Sequence, residues 1–351
     1  MDAEPVGGVL EGMAAGGHEL VVHGHDPASG LRAIIAIHST RLGPALGGTR
    51  FRRYPTEAAA LTDALRLAEG MTLKAAAAGL DLGGGKAVLV GDPLLAGPDL
   101  WAAYGRLVDR LGGAYITAED VGTTVADMVL VAGETRWVMG LPLEQGGSGD
   151  PSPMTARGVR AAMTAAAEHL WGGADLTGRR IAIQGVGKVG SGLARLLAAD
   201  GADLVVADAR PEVARSVAAE TGAAVADPED VLFTEADIVA PCALGAVLSP
   251  TTIPGLRCAA VVGSANNQLA HEGDAKLLAD AGILYAPDFV VNAGGIINIA
   301  TEVAGAYDAA EAGRQVDGIH DTMVAIFRRA DRDGTTPHEA AVAVARDRLE
   351  P

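Results

Sequence analysis

"IAIQGVGKVGSGLARLLAADGADLVVAD", residues 181–208, decides the fold of the second half of this chain. A short apolar run opens it and reads as a strand; Gly185, Gly187 and Gly190 follow as GxGxxG, then a helix, then a second strand ending at Asp208. The first glycine permits a tight turn, the second lets backbone approach a pyrophosphate, and the third lets helix pack on strand. GxGxxG alone says little in a chain with 47 glycines. An acid ending the next strand, at about the ~20-residue distance suited to a ribose contact, makes the stretch a dinucleotide-binding unit. Val186 and Lys188 lie inside the turn, Lys188 reading equally as a solvated surface residue. Asp208 is suited to accept ribose hydroxyls and repel a 2′-phosphate, which favours NAD over NADP, while Arg210 two residues on is suited to greet that phosphate.

Working outward, "ADIVAPCA", "CAAVVGSA" and "GILYAPDFVV" supply further strands, and helical patterns follow at about 313–331 and 337–349. Upstream, "LEQGGSGDPSPMT" (143–155) reads as a linker. Before it lie two β-rich runs, His18 to His23 and Leu31 to His38, joined by "DPASG". A helix capped by Thr56, a Gly-rich turn and a strand from Ala87 to Val90 come next. The pattern predicts an α/β protein of two domains with an interdomain cleft: an N-terminal catalytic domain over 1–145 and a Rossmann domain over 146–329.

Composition narrows the function. A net charge of −17 leaves no basic surplus for nucleic acid or an anionic membrane. Cys242 and Cys258 are too few for a disulfide framework and read as buried thiols in a reducing cytoplasm. The N-terminus shows no signal-peptide pattern, so a cytoplasmic location is expected. The 8 histidines show no ligand spacing beyond "HGH", and no metal is expected. The lysines are Lys74, Lys86, Lys188 and Lys276, the rest of the 27 basic residues being arginine. Lys86 stands at the head of an apolar strand, where an ammonium is costly unless paired or used.

Together "GPALGGTRF", "MTLKAAAAGLDLGGGKAVLVGDP", "AEDVGTT", "GVGKVG", "APCALGA", "GSANNQLA" and "ILYAPDFVVNAGGIIN" resemble the Glu/Leu/Phe/Val amino acid dehydrogenase superfamily, in the same order from about residue 35 to 330. The likeness is greatest to bacterial leucine and valine dehydrogenases, with "AEHLWG" leaning toward the actinomycete valine type. The resemblance implies that Lys74 anchors the substrate α-carboxylate, that Lys86 is the catalytic lysine activating water, and that Asp120 exchanges protons with the substrate amine. A lysine beside another cation and partly desolvated shifts toward its neutral form and can act as a base. By the same resemblance Asn266 and Asn292 lie near the cofactor and the substrate amino group, and Cys242 and Ala243 belong with the cofactor contacts. The C-terminal helices, about 330–351, are expected to pack back on the first domain.

Glutamate-specific members of the superfamily carry a lysine at the position of Leu46 and a serine at that of Ile299. Here both are aliphatic, and a second carboxylate buried unpaired would be costly. The expected reaction is reversible NAD-dependent oxidative deamination of valine or leucine to the 2-oxo acid and ammonium, by a homo-oligomer. Two alternatives stand: a phenylalanine dehydrogenase of the same superfamily, and a catalytically silent NAD-binding regulator.

Overall fold

The computed structural model describes residues 8–350. It divides into two compact units: the described residues up to Asp150 with Ile299–Tyr307 and the chain from Ala345 onward, and Pro151–Asn298 with Asp308–Val344.

The first unit runs α1 (Val9–Gly16), β1 (Leu20–Asp26), β2 (Leu31–Ser39), β3 (Ala45–Arg52), α2 (Glu57–Ala77), β4 (Gly83–Val90), α3 (Pro98–Asp109), β5 (Tyr115–Glu119) and α4 (Val125–Ala132). Its sheet has the order β1-β2-β4-β3-β5. The β1–β2 hairpin turns at "DPASG" as expected, though β1 starts later and runs to Asp26. Strand β4 is antiparallel to β2 and parallel to β3, which is parallel to β5.

Thr56 begins α2 by accepting a hydrogen bond from the Ala59 N–H. The helix then lays Ala60, Leu61, Ala64, Leu65 and Ala68 on Ile34, Ala36 and Val88 of the sheet. On the opposite face, Ile35, Ile37, Phe51, Ala87 and Leu89 pack with Trp101, Tyr104 and Val108 of α3. Side chains alternate along a strand, so Lys86, in phase with Val88, belongs to the α2 face.

One expectation changes. Gly83, Gly84 and Gly85 are not a turn but the first residues of β4. They are small because neighbours crowd them: a Cβ on Gly83 would collide with the Ser39 carbonyl, and one on Gly84 with the Thr72 amide.

The second unit runs α5 (Ser152–Trp171), β6 (Arg180–Gln184), α6 (Lys188–Ala199), β7 (Asp203–Ala207), α7 (Pro211–Thr221), β8 (Ala224–Val225), β9 (Ile238–Pro241), β10 (Ala260–Val261), α8 (Asp274–Asp280), β11 (Leu284–Tyr285) and α9 (Asp288–Val291). Helices α10 (Gly294–Ala304), α11 (Ala309–Asp317), α12 (Ile319–Asp333) and α13 (Pro337–Leu349) complete the chain. The sheet is parallel throughout, in the order β11-β10-β9-β6-β7-β8. Counted from β6 this is the doubly wound order 3-2-1-4-5-6, with the switch point between β6 and β9.

Three readings of this half are corrected. "GILYAPDFVV" is a strand only at Leu284–Tyr285, its remainder entering α9 after Pro287. The helix expected over 313–331 is two, α11 and α12, divided at Gly318. The thiols are free but only half-buried.

Candidate active site

Strand β4 carries Lys86 into the interior, where it is 5% exposed. Its Nζ lies 2.9 Å from Oδ2 of Asp120, which follows β5. An unpaired ammonium at such depth would cost on the order of several kcal/mol, so the pairing is what makes the position tolerable. Burial pushes the Lys86 pKa below that of an ordinary lysine; Asp120 opposes the shift, and Arg50 adds to it. Burial works against ionisation of Asp120, yet Lys86 and Arg50 outweigh it and hold the carboxyl below its ordinary value. The pair is therefore a firmly ionised acid beside a lysine biased toward the neutral amine.

Close backbone packing sets this geometry. A Cβ on Gly47 would collide with the Gly85 carbonyl, and one on Gly48 would crowd Glu119 and Asp120. The turn bearing Asp120 needs Gly122, whose φ is +84° and whose place lies against the Phe51 carbonyl. The Thr123 hydroxyl takes a hydrogen bond from the Asp120 N–H at 2.9 Å. On α2, Lys74 is half-buried in the last turn, two residues beyond Thr72. Leu46, 2% exposed, lies on β3 opposite Gly84 and Ile116. Ile299 is half-buried in the part of α10 that belongs to the same unit.

Sequence reasoning supplied a neighbouring cation for Lys86 but not its identity. Arg50 Nε reaches Oδ2 of Asp120 at 3.1 Å, the same oxygen that Lys86 holds, and its NH1 lies 3.1 Å from Oδ2 of Asp63 on α2. The Tyr54 hydroxyl donates to that Asp63 oxygen at 2.6 Å. Arg50 stands inside the quoted "GPALGGTRF", and an arginine two residues after the glycine pair, between Thr49 and Phe51, was the available signal.

In the second unit, Gly185 takes φ +90° directly after β6, and a Cβ on Gly190 would collide with its carbonyl. A Cβ on Gly187, at the N-terminus of α6, would meet open space. The three glycines thus show tight turn, helix–strand contact and open approach, which suits a pyrophosphate against the helix N-terminus. Val186 is buried, and its N–H donates to Oδ2 of Asp208 at 3.0 Å. Oδ1 of Asp208 accepts from the Arg210 N–H at 3.0 Å and faces its Nε at 3.3 Å. Burial works against the Asp208 anion, but these hydrogen bonds outweigh it and keep its pKa low. Lys188 is exposed as the first residue of α6.

Across the switch point, the Cys242 N–H donates to the Gln184 carbonyl at 2.7 Å, and a Cβ on Gly185 would collide with Ala243. Asn292 Nδ2 donates to Oδ1 of Asn266 at 2.8 Å and to the Ser264 carbonyl at 3.1 Å. Its own Oδ1, and Oε1 of Gln184, are buried without a partner. Buried acceptors left open, one at the carboxyl end of β6 and one just after α9, fit a ligand rich in donors, such as a dinucleotide with a carboxamide.

Comparison with known proteins agrees with this chemistry. Residues 18–137 match the Glu/Leu/Phe/Val dehydrogenase dimerisation domain, and residues 146–217 and 206–350 match the Glutamate/Leucine/Phenylalanine/Valine dehydrogenase family. A valine dehydrogenase of Streptomyces virginiae is 54% identical over 338 residues, covering 95% of this chain and 94% of the relative. A leucine dehydrogenase of Geobacillus stearothermophilus is 48% identical, with 95% and 91% covered. The crystal structure of L-tryptophan dehydrogenase from Nostoc punctiforme superposes with a TM-score of 0.87 at 43% identity, covering 97% and 98%. Dehydrogenases of this family depend on a nicotinamide dinucleotide and act on amino acids. The chain belongs to the Glu/Leu/Phe/Val dehydrogenase family and is an amino acid dehydrogenase.

Proposed function

We propose that the protein catalyses reversible NAD-dependent oxidative deamination of a branched-chain aliphatic L-amino acid, valine or leucine, to its 2-oxo acid and ammonium. The observation that carries this reading is the buried Lys86–Asp120 pair, in which Oδ2 of Asp120 is the oxygen nearest to Lys86 and is also held by Arg50. Lys74 pairs with the substrate α-carboxylate. Asp120 accepts a proton from the substrate ammonium through Oδ1, freeing the nitrogen lone pair that drives the α-hydrogen out as hydride. The nicotinamide, when bound, supplies the hydride acceptor. Lys86, as the neutral amine, takes a proton from water as it attacks the iminium carbon; once it has released that proton to solvent it takes the hydroxyl proton as the carbinolamine collapses, while Asp120 returns a proton to nitrogen and ammonia leaves.

Gly185, Val186, Gly187 and Gly190 would hold the pyrophosphate, and Asp208 the adenosine ribose, with Arg210 kept on the Asp208 carboxylate rather than free for a 2′-phosphate. Cys242 and Ala243 would line the same site across the switch point. Asn292, with its open Oδ1, and Asn266 would meet the carboxamide or the substrate amine. Leu46 and Ile299 would form the side-chain pocket, which supports aliphatic substrates and disfavours a second carboxylate. The relatives named valine and leucine dehydrogenase support the same choice. An aromatic substrate is the second reading, favoured by the likeness to the Nostoc tryptophan enzyme. The family description of residues 18–137 as a dimerisation domain supports a homo-oligomer. No described helix is long and apolar enough to cross a membrane. The location proposed for the enzyme is cytoplasmic.

The test is NADH formation with valine, leucine, isoleucine, phenylalanine, tryptophan and glutamate, and NADPH formation with NADP, for the parent, Lys86→Ala and Asp120→Asn. Turnover of aliphatic substrates with NAD, lost in both variants, is the expected result. Preference for an aromatic substrate would overturn the aliphatic assignment, and full activity of Lys86→Ala would overturn the mechanism.

A further inference from the structure

Arg50, which the mechanism does not use, joins the two halves of a buried charge network. Lys86 on β4, Asp120 after β5, Arg50 on β3 and Asp63 on α2 form an alternating chain of cation and anion. Asp63 is held in turn by the Tyr54 hydroxyl at 2.6 Å and faces Arg66 at 3.4 Å. Also toward α2 lie Lys74, in its last turn, and His38 of β2, whose ring nitrogens are engaged by Thr72 Oγ1 and the Gly16 carbonyl. Arg50 is gripped from two sides, so its guanidinium cannot swing away from Asp120 without also giving up its ion pair with the half-buried Asp63.

Two consequences follow from sharing one oxygen. The nearest contacts of Lys86 and Arg50 both fall on Oδ2, which makes Oδ1 the oxygen better placed to meet a further donor. A carboxylate serving a fixed arginine also holds a neighbouring ammonium less tightly than one serving that ammonium alone. We propose that Arg50 is a positioning residue for the deamination: by occupying Oδ2 of Asp120 together with Lys86, it reserves Oδ1 for the substrate nitrogen and stops Lys86 from locking onto the carboxylate as a permanent ion pair. The inference rests on the roles proposed for Lys86 and Asp120. Burial, Asp120, Arg50 and Asp63 all bear on the Lys86 charge, with Arg50 favouring the neutral amine and Asp63 the ammonium.

The two neighbours therefore have opposite signatures. The low-pH limb of kcat/KM for deamination reports the free-enzyme base. Arg50→Gln removes a cation and should move that limb up by about one pH unit, with a fall in kcat. Asp63→Asn removes an anion and should move the limb down. Arg50→Lys keeps the charge but cannot bridge two carboxylates, so the limb should stay near its parent position while kcat falls. A merely structural role would lower activity in all three without opposite shifts. An unmoved limb in Arg50→Gln, or shifts in the same direction for Arg50→Gln and Asp63→Asn, would overturn the proposal. If circular dichroism shows Arg50→Gln unfolded, the downward shift in Asp63→Asn and the unmoved limb of Arg50→Lys decide it, and their failure overturns it. A parent enzyme with no limb, or with one that survives in Lys86→Ala, would instead overturn the role given to Lys86 itself.

Discussion

Gly84 and Thr72 meet backbone to backbone: any Cβ on Gly84 would collide with the Thr72 amide nitrogen. Each stands two residues before one of the site lysines, Gly84 before Lys86 and Thr72 before Lys74. The spacing of strand and helix that this contact permits also spaces the two ammonium groups. Gly84→Ala should cost about 1–3 kcal/mol from overpacking. It should also lower kcat/KM by more than tenfold, because a 1 Å displacement of a catalytic group is costly. Urea unfolding and steady-state kinetics on the same preparation check both effects.

The pH dependence of deamination has a definite sign. Burial lowers the Lys86 pKa, so the neutral base is present at pH values below the ordinary lysine range. kcat/KM for deamination should rise with pH through that lowered value, and the reverse reaction, which needs the protonated lysine, should decline over the same interval. Lys86→Arg keeps the charge but cannot titrate, and should lose the limb and about 10²–10⁴ in turnover. Rate profiles in both directions provide the check.

Asp208, proposed to hold the adenosine ribose, also bears on stability. Asp208→Asn should raise the KM for NAD more than it lowers kcat, if the residue binds the ribose as proposed rather than reacting. The folded-state pKa of Asp208 lies below its ordinary value, so its contribution to stability is present above the ordinary carboxylate range and lost as pH falls through the lowered value. Thermal melts of parent and variant should converge in acid and separate near neutral pH.

Leu46 is the simplest probe of the proposed side-chain pocket. Leu46→Ala should enlarge the space beside β3 and raise the preference for leucine over valine by roughly 10-fold, the scale of one methylene in an apolar pocket. The ratio of kcat/KM values measures it, and an unchanged ratio would remove Leu46 from the pocket.

Glu302 holds the chain at both Gly140, just before the linker, and Ser148, within it. Its carboxylate accepts from the Gly140 N–H at 3.1 Å and from the Ser148 N–H at 2.7 Å. Ile299 lies three residues earlier on the same helix, hence on the same face. Glu302→Ala should destabilise the protein by about 1.5–3 kcal/mol per charge-assisted bond lost. It should also raise the KM for the amino acid more than that for NAD, which initial-rate kinetics will show.

Much of the fold was legible because its signals are local. The apolar spacing and Thr56 cap of α2 lie within one helix, and the spacing from Gly185 to Asp208 lies within one βαβ unit. The misreadings came where local signals have two physical causes. Glycine serves a turn through positive φ and serves close packing through its missing side chain; Gly83, Gly84 and Gly85 are of the second kind. Apolar runs such as "GILYAPDFVV" suit strand or buried helix alike until a proline and its partners decide.

The sequence by itself determined the dinucleotide-binding unit, the scarcity of lysine and the position of Lys86 on an apolar strand, since each depends on residue type and short-range spacing. Only the tertiary structure decided which oxygen of Asp120 is occupied, that Arg50 rather than another cation stands beside Lys86, and that Asn292 keeps an open buried acceptor. Arg50 and Asp120 are 70 positions apart, and no periodicity spans such a separation. Their pairing exists because β3 and β5 are neighbours in the sheet, and charges brought together out of water are far more strongly coupled than the same residues along an extended chain.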